Sequence, residues 1–193
     1  MPRIGMEPQR RAALVQATID EVGQAGSLDV TVSRIARRAG VSSALAHHYF
    51  GAKDALFLAA MRHILALFVR SVRHRLARAN SPRSRLDAVI QASFDADQFE
   101  GHVVNAWLNF YVAAQTSPDA KRLLRAYHAR LRSNLLANLR PLMGAGAEEA
   151  ADTIAALIDG FYIRAALGPD ALDSTQATRR VMALAHLMLA REA

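Results

Sequence analysis

One segment of the chain, residues 31–53, constrains the fold more than any other, because it reads as two short helices joined by a tight turn. The first helix begins after Thr31, an N-cap candidate whose side chain can accept a hydrogen bond from the first turn. Gly40 can adopt the left-handed conformation needed just past a helix end, and Ser42 can cap the second helix. The segment therefore predicts a helix-turn-helix.

The second of these helices presents small and polar side chains outward if Ala46 and Phe50, four residues apart, face inward together. Such a face can hydrogen-bond, adds little bulk and suits the major groove of DNA. Three arginines on the preceding helix, Arg34, Arg37 and Arg38, lie where contacts to phosphates would position a reading helix. The alternative is an ordinary helical hairpin with solvated charges, but the turn, the caps and the outward face all favour DNA binding.

The segment supplies two predicted kinds of DNA contact. The residues expected to face base edges are Ser43, Ala44, Leu45, with its methyl groups near a thymine methyl, and His47. The residues expected to hold the phosphate backbone or support it are Ser33, Arg34, His48, Tyr49 and Lys53. We therefore expect these nine positions to form the DNA-binding surface.

The same segment resembles the TetR family of bacterial repressors. Its members share a Thr-initiated helix ending in Ala-Gly-Val-Ser, then a reading helix that closes on two aromatic residues and Phe, with a Lys shortly after. The matching residues here are Thr31, Ile35-Ala36, Ala39-Gly40-Val41-Ser42, His48-Tyr49-Phe50 and Lys53. One departure concerns the reading helix, where Ala46-His47 replaces the usual Leu-Tyr, so no operator sequence can be transferred.

Within that family, the chain is most similar to the BetI-type, choline-responsive repressors of glycine betaine synthesis. Further matching residues are Pro2, Gly5-Met6, Arg10-Arg11, the run 35–42, Ala106-Trp107-Leu108 with Phe110, the run 156–160 and Arg164-Ala165-Ala166-Leu167. The resemblance implies a repressor that binds double-stranded, roughly palindromic operator DNA near genes for choline uptake and its oxidation to glycine betaine. It also implies a choline-like effector that shifts the fourth helix and changes the separation of two reading heads.

The charge of the chain is compatible with a polyanionic partner. The formal net charge is +7, and the residues 56–85 carry seven arginines and no acid. Part of this surplus would extend the electrostatic footprint on DNA, while an equally plausible alternative is a solvated helix face that keeps the protein soluble.

Other functional classes find no support in the sequence. The chain has no cysteine, no secretion signal and no uninterrupted apolar run of membrane-spanning length, which predicts a cytoplasmic, nucleoid-associated bacterial protein without disulfides. No HExxH, GxGxxG, P-loop or GxSxG pattern occurs, and the seven histidines are scattered. We therefore expect no enzyme activity, no cofactor and no metal.

Apolar periodicity predicts an all-α fold of about nine helices, with a three-helix head at residues 1–55 and a larger effector-binding and dimerisation body at residues 56–193. The predicted helices span 7–25, 32–39, 43–49, a fourth that begins after Gly51 and runs to about Arg78, 83–95, 100–115, 119–140 bounded by Pro141, 147–167 and 175–190.

The last two predicted helices are apolar around most of their circumference, so each must be buried on several sides. This pattern suggests a four-helix bundle between two subunits, with a monomer core as the alternative, and the TetR resemblance favours a homodimer. The residues expected to form the subunit contact are Leu157, Phe161, Leu184 and Leu187.

An aromatic stripe marks a candidate effector site. Trp107, Phe110 and Tyr111 share one face of a helix, and aromatic faces can hold a quaternary ammonium by cation–π attraction. Asp159 lies inside an otherwise apolar helix and would compensate the cation's charge. The alternatives are a plain core for the aromatic residues, and an Asp159 that pairs with Arg164 or caps a kink.

Weaker candidates for the same cavity are Phe94, Asp95, Phe161 and Tyr162. Two further functional alternatives stay open from the residues. One is a TetR-type regulator that senses another amine or hydrophobic cation, and the other is a sequence-independent architectural DNA-binding protein without an effector.

Overall fold

The computed structural model describes residues 5–168 and 173–191. The predicted all-α architecture is confirmed, and the described residues contain no strand. Within these described residues the fold has nine α-helices: α1 (Met6–Ala25), α2 (Val32–Arg38), α3 (Ser43–Phe50), α4 (Lys53–Leu76), α5 (Pro82–Ala92), α6 (Gly101–Thr116), α7 (Pro118–Met143), α8 (Ala147–Leu167) and α9 (Ser174–Arg191).

Two predicted helix ends are wrong. The fifth helix was expected to reach residue 95, but α5 ends at Ala92, and a separate short 3-10 helix follows at Ala96–Gln98. Pro141 was expected to end the seventh helix, but α7 continues through it to Met143. A proline within the last turn removes only one amide donor, and the turn stays packed because Leu139 is fully buried. Gly144, with φ 55°, then ends the helix in the left-handed region.

The head consists of α1, α2 and α3, and its predicted caps are present. The side chain of Thr31 accepts from the Arg34 amide at 3.2 Å, and that of Ser42 accepts from the Leu45 amide at 3.2 Å. Gly40 takes a φ of 68° in the turn between α2 and α3, a conformation that favours glycine. These local bonds fix α3 in the second position of a helix-turn-helix.

The body is organised around α4, which packs against α1, α5, α6 and α7. This helix is long and apolar enough to cross a membrane by length and composition, but it is amphipathic: Leu56, Ile64 and Phe68 are buried in the protein core while Arg62 and Arg70 are exposed. The predicted boundary between residues 1–55 and 56–193 falls in the first turn of α4, so head and body share one helix.

The arginine-rich stretch runs along the body and away from the head. At 1.5 Å per residue, Arg70 lies ~26 Å and Arg75 ~33 Å along the helix axis from Lys53 at the start of α4. Arg75 forms an ion pair with Asp95 within the protein, so its charge is not directed at DNA. This placement favours the solvated-face interpretation for the far end of the stretch.

Head and body meet in a close backbone contact where α1 packs against α6. A Cβ atom added at Gly23 would lie 2.4 Å from the Cα of His102, so the two backbones pack without any side chain between them. The side-chain amide of Asn105 donates a hydrogen bond to the Gly23 carbonyl at 2.9 Å across the same contact. Gly23 therefore permits a direct backbone joint between the reading head and the body.

We predict that Gly23→Ala destabilises the fold by roughly 1–3 kcal/mol, since the new methyl group overlaps backbone that cannot rotate away. Denaturant unfolding measures the change. Gly101→Ala is the matched control on α6, because a Cβ there meets no atom within 4 Å. Equal stability of the two variants would show that α1 and α6 separate at negligible cost.

Candidate DNA-reading helix and effector site

The reading surface on α3 is small and mostly uncharged. Ala44, His47 and His48 are exposed, Ser43 and Leu45 are partly buried, and Ala46 faces the core as expected. The Ser43 hydroxyl donates to the Ser33 hydroxyl at 3.1 Å, which links α3 to α2.

The carboxyl end of α3 is held by α1. The guanidinium of Arg11 donates to the Tyr49 carbonyl at 2.9 Å and lies over the rings of Tyr49 and Phe50, 4.9 and 5.3 Å from their centroids. These contacts fix the angle of the reading helix on the head. Sequence reasoning placed Tyr49 on the DNA side but missed the role of Arg11.

Two of the arginines expected to face phosphates are anchored within the protein. Glu21 of α1 is buried, and its carboxylate pairs with Arg38 at 2.5 Å and with Arg34. The hydrogen bond from Arg38 and the charges of both arginines hold the pKa of Glu21 below its usual value, against the opposing effect of burial. Arg37 is exposed on the same helix.

Lys53 is also partly engaged within the protein. Its ammonium donates to the Leu28 carbonyl at 3.0 Å, which ties the start of α4 to the loop before α2. An ammonium carries three donors, so this bond leaves two of them for a phosphate.

The predicted effector residues lie together in the body. Trp107 and Phe110 of α6 are buried, Tyr111 is partly buried, and Asp159 of α8 reaches the same cluster. The indole ring of Trp107 lies 5.7 Å from the Phe110 centroid and 5.8 Å from the Tyr111 centroid. The structure therefore brings all four predicted residues to one site between α6 and α8.

Three further aromatic residues complete this cluster. Tyr127 of α7 lies 4.7 Å from Trp107, and Tyr162 of α8 lies 5.9 Å from it, centroid to centroid. Phe68 of α4 stacks edge-on against Tyr127 at 5.9 Å. Tyr162 was a weaker candidate, while Tyr127 and Phe68 were missed because they lie on other helices and no sequence spacing connects them with Trp107.

Asp159 accepts hydrogen bonds from the surrounding aromatic residues. Its Oδ1 accepts from the hydroxyl groups of Tyr111 at 3.0 Å and Tyr127 at 3.4 Å, and its Oδ2 lies 3.1 Å from Nε2 of His128. The expected alternative pairing with Arg164 does not occur, since Arg164 lies on the exposed face of α8.

The tyrosines of this cluster stay protonated. Burial first, and then the charge of Asp159, raises the pKa values of Tyr111, Tyr127 and Tyr162 above their usual range. Their rings are therefore neutral, and the negative charge of the cluster belongs to Asp159.

One buried donor in the cluster has no partner. The Nε1–H of Trp107 is buried and makes no hydrogen bond to any described residue. Buried polar groups are nearly always satisfied, so this donor marks a place where an acceptor from outside the chain would be stabilised. Together with the carboxylate and the aromatic rings, it gives the cluster the features of a site for a small polar cation.

The other weaker candidates lie elsewhere. Phe94 packs on Phe99, Phe161 and Tyr162 with centroids 5.3 to 6.0 Å away, as part of the adjoining core. Asp95 pairs with Arg75 and accepts from the Ser71 hydroxyl. These residues support the body rather than the candidate site.

Comparison with known proteins identifies the family of the chain. Residues 82–190 match the BetI-type transcriptional repressor C-terminal model, and residues 14–60 match the tetR family of bacterial regulatory proteins. The HTH-type transcriptional regulator BetI of Brucella melitensis is 53% identical over 178 residues, covering 92% of this chain and 90% of the relative. The chain belongs to the TetR family, in its BetI-type branch.

Solved structures share the whole architecture. A transcriptional regulator from Pseudomonas aeruginosa PAO1 superposes with a TM-score of 0.79 at 29% identity, over 98% of this chain and 97% of that one. A regulator from Saccharomonospora viridis in complex with choline has a TM-score of 0.80 at 20% identity, over 93% and 97% of the two chains, and this likeness shows the fold alone. The TetR-family chain is thus a DNA-binding transcriptional repressor and not an enzyme.

We predict that the ion pairs of Glu21 give the head a pH-dependent stability. Because its folded pKa is lowered from the ordinary 4.5, the contribution is present above pH 4.5 and is lost as the pH falls through the lower folded value. Glu21→Gln should lower stability near neutral pH and flatten the loss on acidification, as measured by denaturant unfolding. Glu7→Gln, whose exposed pair with Arg11 contributes little, is the control. Parallel acid profiles of wild type and Glu21→Gln would contradict this role.

Proposed function

We propose that this TetR-family protein is a dimeric repressor whose DNA binding responds to choline or a closely related quaternary ammonium compound. It would act in the cytoplasm at the nucleoid, on a palindromic operator near genes for choline uptake and choline oxidation to glycine betaine. The observation that carries the proposal is the aromatic cluster around Asp159, with its single carboxylate and the unpartnered indole of Trp107. The BetI-type branch and the choline-bound regulator of the same fold support it.

The chemistry of the cluster suits a quaternary ammonium group, whose nitrogen carries no hydrogen to donate. Neutral tyrosine and indole rings present negative π faces, and each favourable contact with an ammonium contributes roughly 0.5–2 kcal/mol. Asp159 supplies the compensating charge, and it is only partly exposed, so solvent screens it less than a surface carboxylate. Its bonds to Tyr111 and Tyr127 hold it against these rings.

Binding of such a group requires the rings to separate. Carbon atoms in contact lie ~3.5–4.0 Å apart, so rings on either side of a methylammonium group stand at least ~7 Å apart. Trp107 and Tyr127 are 4.7 Å apart, centroid to centroid. A ligand between them therefore displaces α6 relative to α7.

The displacement has a direct route to the reading head. The helix α6 carries Trp107 and Tyr111 near its middle, and its first turn, at His102, packs directly on the backbone of Gly23 in α1. Phe110 of the same helix packs edge-on against Phe57 of α4, with centroids 6.4 Å apart. Movement of α6 thus acts on both helices that connect the head with the body, which would change the spacing of paired heads on DNA.

The proposed dimer face lies on the last two helices. Among the described residues, large apolar side chains are exposed at Ile163 and Leu167 of α8, Leu187 of α9 and Val112 of α6. Three of the four thus lie on α8 and α9, which pack together, and Leu157 and Leu184 are partly buried beside them. Of the predicted contact residues, Phe161 is the exception, because its ring is buried against Phe94 in the protomer core.

Choline should bind the wild-type protein, change the fluorescence of Trp107, the only tryptophan, and raise the melting temperature by mass action. Asp159→Asn should weaken choline binding by roughly ten-fold or more, because the compensating charge is lost. The neutral isostere 3,3-dimethylbutanol should be affected much less. Titration calorimetry compares the two ligands.

Asp152→Asn is the matched control, since it removes an exposed carboxylate from the same helix outside the site. Trp107→Ala should lose the choline response and keep operator affinity. The core alternative expects otherwise: a loss of roughly 3–5 kcal/mol of stability from Trp107→Ala, and a wild type that ignores choline. If choline changed neither the fluorescence nor the melting temperature of the wild type, the ligand assignment would be wrong, while the assignment as a repressor would stand.

Light scattering in the absence of DNA should report about twice 21.0 kDa for the wild type. Leu187→Arg should yield monomers, because it places an unpaired charge in an apolar contact. Val112→Arg introduces the same charge at a site of similar exposure, 56% against 60%, on a helix outside the face, and should remain dimeric. A monomeric wild type at micromolar concentration would contradict paired heads on a palindrome.

A further inference from the structure

The ring of His47 is fixed by a bond to the main chain. Its Nδ1 lies 2.7 Å from the carbonyl oxygen of Gly51, four residues on. A carbonyl oxygen can only accept, so Nδ1 carries the hydrogen and donates it. Gly51 directs this carbonyl with a φ of 73° and a ψ of −88°, outside the helical region. The turn that ends α3 therefore selects the tautomer of the reading histidine.

The other ring nitrogen of His47 is then defined. In a neutral imidazole with Nδ1 protonated, Nε2 has a lone pair and no hydrogen, so it can only accept. The His47 side chain is exposed, and Nε2 makes no hydrogen bond within the described residues. An acceptor is thus presented from the outward face of α3.

The remainder of this face adds few donors. The Ser43 hydroxyl is already hydrogen-bonded to the Ser33 hydroxyl, and Ala44 and Leu45 are apolar. The helix carries no lysine or arginine, the side chains that most often read guanine. The base-facing part of α3 is therefore dominated by apolar groups and one fixed acceptor.

We propose that His47 reads an exocyclic amino group in the major groove, N6 of adenine or N4 of cytosine, by accepting through Nε2. On the strand that it faces, guanine presents only acceptors there, and thymine presents an acceptor and a methyl group, so both are refused. This inference rests on the proposed placement of α3 in the major groove. It specifies that His47 accepts a hydrogen bond from the base, whereas a histidine in general can either accept or donate.

The test begins with duplexes selected from a randomised library by the wild type and by His47→Ala. One position per half-site should require adenine or cytosine for the wild type and lose that preference in His47→Ala. His48→Ala is the matched control: it removes the neighbouring exposed histidine, which has no such carbonyl bond, and should keep the preference at that position.

Base analogues then identify the contacted atom. Removing the amino group, with purine for adenine or 2-pyrimidinone for cytosine, should weaken wild-type binding by roughly ten-fold or more. The same replacement should leave the affinity of His47→Ala unchanged. Replacing adenine by 7-deazaadenine removes the N7 acceptor and should leave the affinities of the wild type and of His47→Ala for the duplex unchanged. His47→Gln, whose amide both accepts and donates, should restore the need for the amino group and add a need for N7.

Three results would overturn the inference. The first is that the wild type prefers guanine or thymine at the position where His47→Ala loses its base preference. The second is a loss of affinity on removing N7 but not the amino group, which makes Nε2 a donor. The third is a His47→Ala variant that weakens selected and random duplexes equally, which also refutes the placement of His47 on bases, whereas the first two leave that placement intact.

Discussion

The backbone contact between α1 and α6 is the constraint on which the rest of the molecule depends. Gly23 has no side chain to hold the helices apart. The side-chain amide of Asn105 on α6 donates a hydrogen bond to the Gly23 carbonyl and so links the two helices. A contact between backbones cannot adapt by rotamer changes, so the two helices move together or the contact breaks. The aromatic cluster and the reading helix are consequently parts of one mechanical unit, although different domains carry them.

Local features of the sequence predicted most of this architecture. The caps at Thr31 and Ser42, the left-handed turn at Gly40 and the 3.6-residue periodicity each act within a few residues, and the structure has them where expected. Two helix ends were predicted wrongly, at residue 95 and at Pro141; the second prediction failed because packing of the final turn overrides the preference of a single proline. Local rules therefore predict the elements better than their ends.

The candidate effector site was predictable only in part. Trp107, Phe110 and Tyr111 share one helix, so their common face could be predicted from spacing alone, whereas Tyr127 and His128 join them through tertiary packing of α7. The pairing of Glu21 with Arg34 and Arg38 was hidden for the same reason. Residues that are thirteen or more positions apart in the sequence come into contact because their helices pack against each other. The periodicity of a single helix does not predict that packing.

In the proposed effector site, the indole N–H of Trp107 would also discriminate between ligands. A buried donor without an acceptor costs about 1–3 kcal/mol, and the N–H of Trp107 has no acceptor among the described residues. A cation that brings an oxygen within reach relieves it, whereas a purely hydrocarbon ammonium does not. The difference corresponds to roughly 5- to 150-fold in affinity, so oxygenated and bare quaternary amines would be separated by one hydrogen bond, independently of their shared positive charge.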